Sequence, residues 1–416
     1  MSEKITKNIN RINDMTLIAT VDIGKKKNYG YACTTKGDEI EVFEFYNSGE
    51  GFKKFYKIVD KYKEQKGLKE LVVAIESTGS YGEAFQHYLN KRKVKLLQVN
   101  PMHTKRVKEL QGNSPNKNDK KDPRVIADII KLGQALSVVI PEGSAAELRR
   151  LAHLRESKLE DKGRSYNRIE SYIALIFPEF SHIMKNLKTK TALHLLTYYP
   201  TPGSIIELGI EELTRVMKKV SRSRIGKERA IELYNAAESS GGITEGLDSI
   251  VYSISLSLNE VTIYAKQIEE IEKKLEEYLA DIDYSEFILS IKGIGIVSAA
   301  VLIGEVGDFR KYKNEKELLK LAGLNLFEIS SGRHSGARHI TKRGRSLMRK
   351  ILFLISLNMV RKGGIMHEKY QKYLERKMPK MKALIAISRK ILCIIFALVR
   401  DNTEYKLNYG EYTKAA

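Results

Sequence analysis

The chain has 416 residues, a length for two or three domains at roughly 100–200 residues each. Lys and Arg number 72 against 51 Asp and Glu, so a formal net charge of +21 is spread along the whole length. Such a surface attracts phosphate backbones, and an anionic membrane as well. Two cysteines, Cys33 and Cys393, stand at opposite ends without a neighbour at metal-ligand spacing, which excludes a structural zinc site and implies a reduced, cytoplasmic setting. The leader MSEKITKNINRIND is too polar for a signal peptide. The apolar stretch 383–399 is interrupted by Arg389 and Lys390 and is too short to span a bilayer, so no membrane is expected as a partner.

In chain order, residues 15–22 (MTLIATVD) form the pattern of a buried strand that ends on Asp22. Residues 29–34 and 39–46 follow with β-rich composition across the turn Lys36-Gly37-Asp38. Residues 52–62 have helical spacing, 71–75 (LVVAI) predict a strand ending at Glu76, 83–91 a helix, and 94–99 another strand before Pro101. This order predicts a mixed sheet covered by helices. A polar loop over 111–121 leads into a helix from about 122 to 131.

Ser144-Ala-Ala-Glu147 has the form of a capping box, and the helix it opens runs without proline to about Phe177, carrying Arg149, Arg150, Arg155, Lys158, Arg164 and Arg168. Pro178, Pro200 and Pro202 punctuate a segment of short helices. A second long helix places Val261, Tyr264, Ile268, Ile271, Leu275, Tyr278 and Ile282 at alternating steps of three and four. That is a heptad seam, which predicts either self-association as a coiled coil or packing within its own domain. From Phe287 onward the pattern is helical, with a Gly-Ile-Gly turn, a Ser-Ser-Gly segment and a dense basic run.

Asp22 and Glu76 each close an apolar strand, and Asp119 and Asp122 lie three apart at a loop-to-helix junction. A charge at the end of a buried run needs a partner or a metal, and residues three apart share one helical face. Four carboxylates suit a hard cation such as Mg²⁺, with room left for substrate phosphates. Single acids of this kind also serve as caps, and Asp122 before Pro123 is well placed as one.

Further on, Gly293 and Gly295 in LSIKGIGIVSA have the form of a helix-hairpin-helix turn whose backbone can approach a phosphate, or of a plain helix–helix turn. The run that follows carries Arg333, Arg338, Lys342, Arg343, Arg345 and Arg349, which suits a polyanion. By composition, a serine beside a glycine, such as Ser330 or Ser331, reads as a turn residue.

The segments VDIGKKKNYG, AIESTGSYG, VNPMHTKRVKE and KNDKKDPRVIADII resemble the N-terminal half of DEDD-type insertion-sequence transposases, the IS-one-ten family of bridge-RNA-guided recombinases. Gly323-Leu324, Ser330-Ser331-Gly332 and Ile340-Thr341-Lys342-Arg343-Gly344 resemble that family's second signature, so the resemblance covers nearly the whole chain. Pro123, Leu326 and Arg333 stand where the family has a small residue, a proline and a glycine.

The resemblance implies an RNase H-like (RuvC-like) α/β catalytic domain over residues 1–135. It also implies a coiled-coil, helical region over 136–283 and a helical transposase domain over 284–416. Asp22, Glu76, Asp119 and Asp122 fall on the family's metal-binding acids, and Ser330 on its nucleophile, with Ser331 as the near alternative. The implied activity is DNA cleavage and strand exchange with Mg²⁺ as cofactor. The implied partners are donor and target DNA, a guide (bridge) RNA, and further copies of the chain as a dimer or tetramer. Two other readings remain: a Holliday-junction-type nuclease in which water attacks, and a non-catalytic nucleic-acid-binding scaffold.

Overall fold

The computed structural model describes residues 12–76, 79–99, 101–111, 122–132, 136–137, 140–328, 330–331, 334–336 and 338–406. The chain divides into two compact units, Met1–Ile140 and Pro141–Ala416.

The first unit runs β1 (Thr16–Asp22), β2 (Lys27–Cys33), β3 (Glu39–Tyr46), α1 (Gly49–Gln65), β4 (Glu70–Glu76), α2 (Glu83–Asn90), β5 (Lys95–Val99), α3 (Pro101–Gln111), α4 (Asp122–Lys131) and β6 (Leu136–Ser137). Its sheet has the order β3-β2-β1-β4-β5-β6. The first three strands form an antiparallel meander, β1, β4 and β5 are parallel, and β6 closes the edge antiparallel.

Side chains alternate across a strand, and here both faces are covered. Leu17, Ala19 and Val21 of β1 pack with Phe52, Phe55 and Val59 of α1 and Phe85 and Leu89 of α2. Ile18 turns the other way, onto Val125, Ile126, Ile129 and Ile130 of α4. Burial on both faces explains why β1 and β4 read as continuous apolar runs rather than as alternating ones. The helix α3 and the edge strand β6 were not expected. Val107 of α3 is partly buried against the α4 face of the core, a tertiary contact with only a weak apolar pattern in sequence.

The second unit opens with α5 (Ser144–Ile176), followed by the short α6 (Pro178–Ile183), α7 (Lys190–Tyr198), α8 (Pro202–Ser221) and α9 (Lys227–Glu238), and then α10 (Leu247–Ala280). The expected capping box does not form. Gly143 occupies the cap position with φ of 54°, and the Ser144 hydroxyl, already inside the helix, donates to Asp281 at 2.7 Å.

The heptad seam is also resolved differently from the self-association expectation: α5 and α10 pack antiparallel within one chain. Val261 lies in a core with Ile169 and Ile173, and Ile271, Leu275 and Leu279 lie in another with Ala145, Leu148 and Ala152. Between these cores, Arg155 pairs with Glu272 at 2.6 Å and Ser165 donates to Glu260 at 2.7 Å. A monomer therefore already covers the stripe, and the charged residues beside it serve an internal hairpin.

Beyond it come α11 (Ser285–Leu289), α12 (Ile296–Val306), α13 (Glu315–Leu321), β7 (Leu326–Phe327), β8 (Ser330–Ser331), β9 (His334–Ser335), β10 (His339–Ile340), α14 (Ser346–Met359), α15 (His367–Glu375) and α16 (Lys380–Asp401). The ends of α5 and α10 share one apolar core with α12, α14 and α16. Among the described residues, no helix is long and apolar enough to cross a membrane.

Candidate active site

The carboxylates are brought together by the parallel pairing of β1 and β4. Val21 stands beside Ile75 in the register, so Asp22 and Glu76, one residue further on, leave the sheet at the same edge. Directly after Asp22 the chain turns at Gly24, whose amide donates to Asn28 Oδ1 at 3.0 Å. A Cβ on Gly24 would lie 2.2 Å from the Lys27 carbonyl oxygen, so no other residue fits this turn without moving the backbone.

Asp122 arrives from the other side of the sheet. The apolar face of α4 seats the helix against β1, and the buried Thr20 hydroxyl donates to the Pro123 carbonyl at 2.6 Å. Pro123 lacks an N–H, which costs nothing in a first helical turn, and its carbonyl is what Thr20 holds. On the outer face, Arg124 pairs with Glu39 at 3.3 Å and lies 5.5 Å from the centre of the Tyr31 ring. The Tyr31 hydroxyl donates to the same glutamate. Burial, followed by the bond to Glu39, drives that phenol far above its ordinary pKa.

The result is a pocket of about 390 Å³ whose lining includes Asp22, Glu76 and Asp122 together with Tyr29, Lys27 and Lys108. Lys108, from α3, pairs with Asp122 at 2.6 Å, whereas Lys27 is bonded to Glu44 at 2.9 Å. Among the described residues, no three His, Cys, Asp or Glu side chains close around a single point. Asp119 lies outside the described residues. Lys108, Thr20 and Tyr29 were missed in the sequence. Lys108 sits in the quoted VNPMHTKRVKE segment, and the one available signal was Pro101 opening a helix directly after a strand.

In the second unit, the backbones of Ser330 and Ser331 pair with those of Ser335 and His334 in a short antiparallel ribbon, and a second ribbon pairs Leu326–Phe327 with His339–Ile340. The side chains of Ser330 and Ser331, and the whole of Arg333, lie outside the described residues. Gly293 has φ of 105°, and Gly295 caps the start of α12 without a side-chain bond.

The basic run does not act as one exposed face. Arg338 pairs with Glu328 at 2.8 Å, and Lys342 and Arg343 are exposed. Arg345 and Arg349 are only partly exposed. Arg349 donates to the Ala322 carbonyl at 2.9 Å. Burial, aided by the charge of Arg149, lowers Arg345 to about 10. Opposite it is the buried Glu305, which pairs with His153 at 2.8 Å. Burial pushes this carboxyl up, but the His153 bond and the charges of Arg345 and Arg149 outweigh that and hold it below the ordinary range. Gly344 crosses Gly323 so closely that a Cβ would lie 2.5 Å from the Gly323 nitrogen, which explains why both positions are glycine.

Two family models match the chain: a DEDD-type IS110 transposase model over residues 19–178, and the model of the IS116/IS110/IS902 transposase family over residues 285–371. Asp22, Glu76 and Asp122 fall inside the first match, and both ribbons inside the second. The chain belongs to the IS110 family of transposases.

One curated relative extends the likeness over nearly the whole length, and others match parts of it. An insertion element IS110 protein of 43.6 kDa from Streptomyces coelicolor is 23% identical over 399 residues, which is 94% of this chain and 96% of the relative. An insertion element IS116 protein from Streptomyces clavuligerus is 25% identical over 288 residues, 68% of this chain and 71% of the relative. The transposase for insertion sequence element IS1328 of Yersinia enterocolitica is 36% identical over 87 residues, 21% of this chain and 26% of the relative. As an IS110-family transposase the chain is a DNA-cleaving and recombining enzyme, and DNA is its partner.

Proposed function

We propose that this IS110-family transposase cuts and rejoins DNA through a serine–DNA ester, guided by an RNA, with Mg²⁺ held by Asp22, Glu76, Asp119 and Asp122. The observation that carries the reading is the convergence of Asp22, Glu76 and Asp122 on one pocket at the edge where β1 and β4 end. The sheet order, an antiparallel meander joined to parallel strands, supports an RNase H-like fold for residues 1–135.

The donor set fits the cation. All the candidate ligands are carboxylate oxygens, as Mg²⁺ prefers, and the pocket leaves space for phosphate oxygens beside them. Bound there, Mg²⁺ would neutralise the charge that develops on a phosphate during cleavage. The remaining work falls to the chain. Asp22 and Glu76 are fixed by the sheet, Asp122 by the Thr20–Pro123 bond, and Lys342 and Arg343 are exposed, where a DNA backbone can reach them.

In the second unit, the Ser330 hydroxyl attacks phosphorus and the bond from phosphorus to a deoxyribose oxygen breaks. The departing oxygen ends as a hydroxyl carrying the serine's proton. The ester keeps the energy of the broken bond, so the reverse attack rejoins strands without ATP.

The excess of Lys and Arg supports a phosphate-holding surface for both DNA and RNA. Phosphate contacts position nucleic acid without reading it, which suits a division of labour in which base pairing supplies specificity. The setting is the cytoplasm, and the active assembly of two or four copies uses surfaces other than the internal α5–α10 seam.

Denaturing electrophoresis of reactions with labelled DNA tests the chemistry. The parent should leave a protein–DNA adduct that Ser330→Ala abolishes. An adduct lost only in Ser331→Ala moves the nucleophile by one residue. Cut DNA without adduct in the parent makes water the nucleophile.

A further inference from the structure

We propose that Lys108 is a displaceable counter-ion of the acidic pocket, occupying with its ammonium the place of a metal's positive charge until the metal binds. The inference rests on the metal-site reading above and concerns what the chain does when no metal is bound.

Asp22, Glu76 and Asp122 face one pocket, and like charges brought together repel. Asp122 is held by an ion pair: its side chain is 13% exposed, and Lys108 Nζ lies 2.6 Å from its Oδ2. A carboxylate so sheltered has little water to stabilise it and needs a cation at contact distance.

Lys108 itself is 39% exposed, so its flexible four-carbon stem has a path out of the pocket that Asp122 lacks. The other lysine in the lining, Lys27, is already bonded to Glu44 on β3 at 2.9 Å. The arrangement thus pairs a fixed acid with a movable cation. A divalent ion arriving at Asp122 must compete with the ammonium for the same oxygen, which weakens metal binding in the resting enzyme. Once displaced, the ammonium stands at the rim of a pocket that receives phosphate, so a nucleic-acid backbone that takes up Lys108 would favour metal binding by reciprocal coupling.

The test uses the metal-stripped full-length protein and Mn²⁺ as the probe, with unbound Mn²⁺ measured by electron paramagnetic resonance. Lys108→Met should bind Mn²⁺ at least about tenfold more tightly than the parent, because a cation near a divalent ion is removed. Lys108→Arg, which keeps the charge, should stay within about twofold of the parent, and Asp22→Asn should weaken binding in either background.

A second readout is thermal melting. Metal-free Lys108→Met should melt below the parent and gain more on adding Mn²⁺. Lys108→Gln serves the same comparison if the methionine variant folds poorly. Equal Mn²⁺ affinities for parent, Lys108→Met and Lys108→Gln, with Asp22→Asn still weakened, would overturn the counter-ion role and leave the metal site standing. Absence of stoichiometric Mn²⁺ binding in every variant would overturn the metal site, and the counter-ion role with it.

Discussion

The Thr20 hydroxyl joins the centre of the sheet to the helix that carries Asp122, and it does so in a fully buried place. Thr20→Val keeps the shape but leaves the Pro123 carbonyl without its donor, which should cost about 1–3 kcal/mol in urea unfolding. It should also slow DNA cleavage, because Asp122 loses its anchor. Thr20→Ser should recover both, and a valine variant with parental stability and rate would remove Thr20 from the site's support. Asp22→Asn and Asp122→Asn change the donor set itself. Each should abolish strand cleavage in Mg²⁺ while leaving the melting temperature close to that of the parent, and full activity in either variant would exclude that residue as a ligand.

At the scale of elements, the α5–α10 hairpin is the beam of the second unit, and its stability depends on a seam closed within the chain. Leu275 is fully buried there, and an aspartate at that depth has no partner. Leu275→Asp should therefore destabilise by more than about 3 kcal/mol and give an unfolded or aggregated protein. A folded monomer with parental melting, seen on a sizing column, would instead mean that the seam joins separate chains.

Glu305 ties α12 to α5 through His153 and faces Arg345 at the start of α14. Its folded pKa is lowered, so the stability it contributes is present above the unfolded value of about 4.3 and is lost as pH falls through the folded value. Unfolding of Glu305→Gln should accordingly depend less on pH in the acid range than unfolding of the parent. Parallel pH profiles would show that the carboxylate contributes no such linkage.

For the whole molecule, the net charge of +21 is the dominant long-range property. Binding to arbitrary duplex DNA should weaken steeply and linearly in log affinity against log salt, measurable by anisotropy across a salt series. RNA-stripped protein should show this sequence-blind binding alone, and sequencing of co-purifying RNA should recover one structured species. Sequence-specific recombination by RNA-free protein would refute guidance.

Much of the first unit was legible from local pattern. β1 and β4 are short apolar runs that end on acids, and β3 and α4 have the bounds that the sequence implied, because turn chemistry and periodicity act over a few residues. The two strand-final acids could be singled out by the same logic, since a charge directly after a buried run is conspicuous. Tertiary structure alone decided what each side chain meets. That β1 and β4 are neighbours and parallel, that Thr20 reaches Pro123 across 103 residues of chain, and that Lys108 comes to Asp122 are long-range outcomes with no local signature. The heptad seam makes the same point from the other side. A period of three and four residues dictates an apolar stripe and therefore a partner helix, but whether that helix lies in another chain or in the same one depends on the connection between them. Here helices α6 to α9 return the chain so that α5 covers the stripe itself.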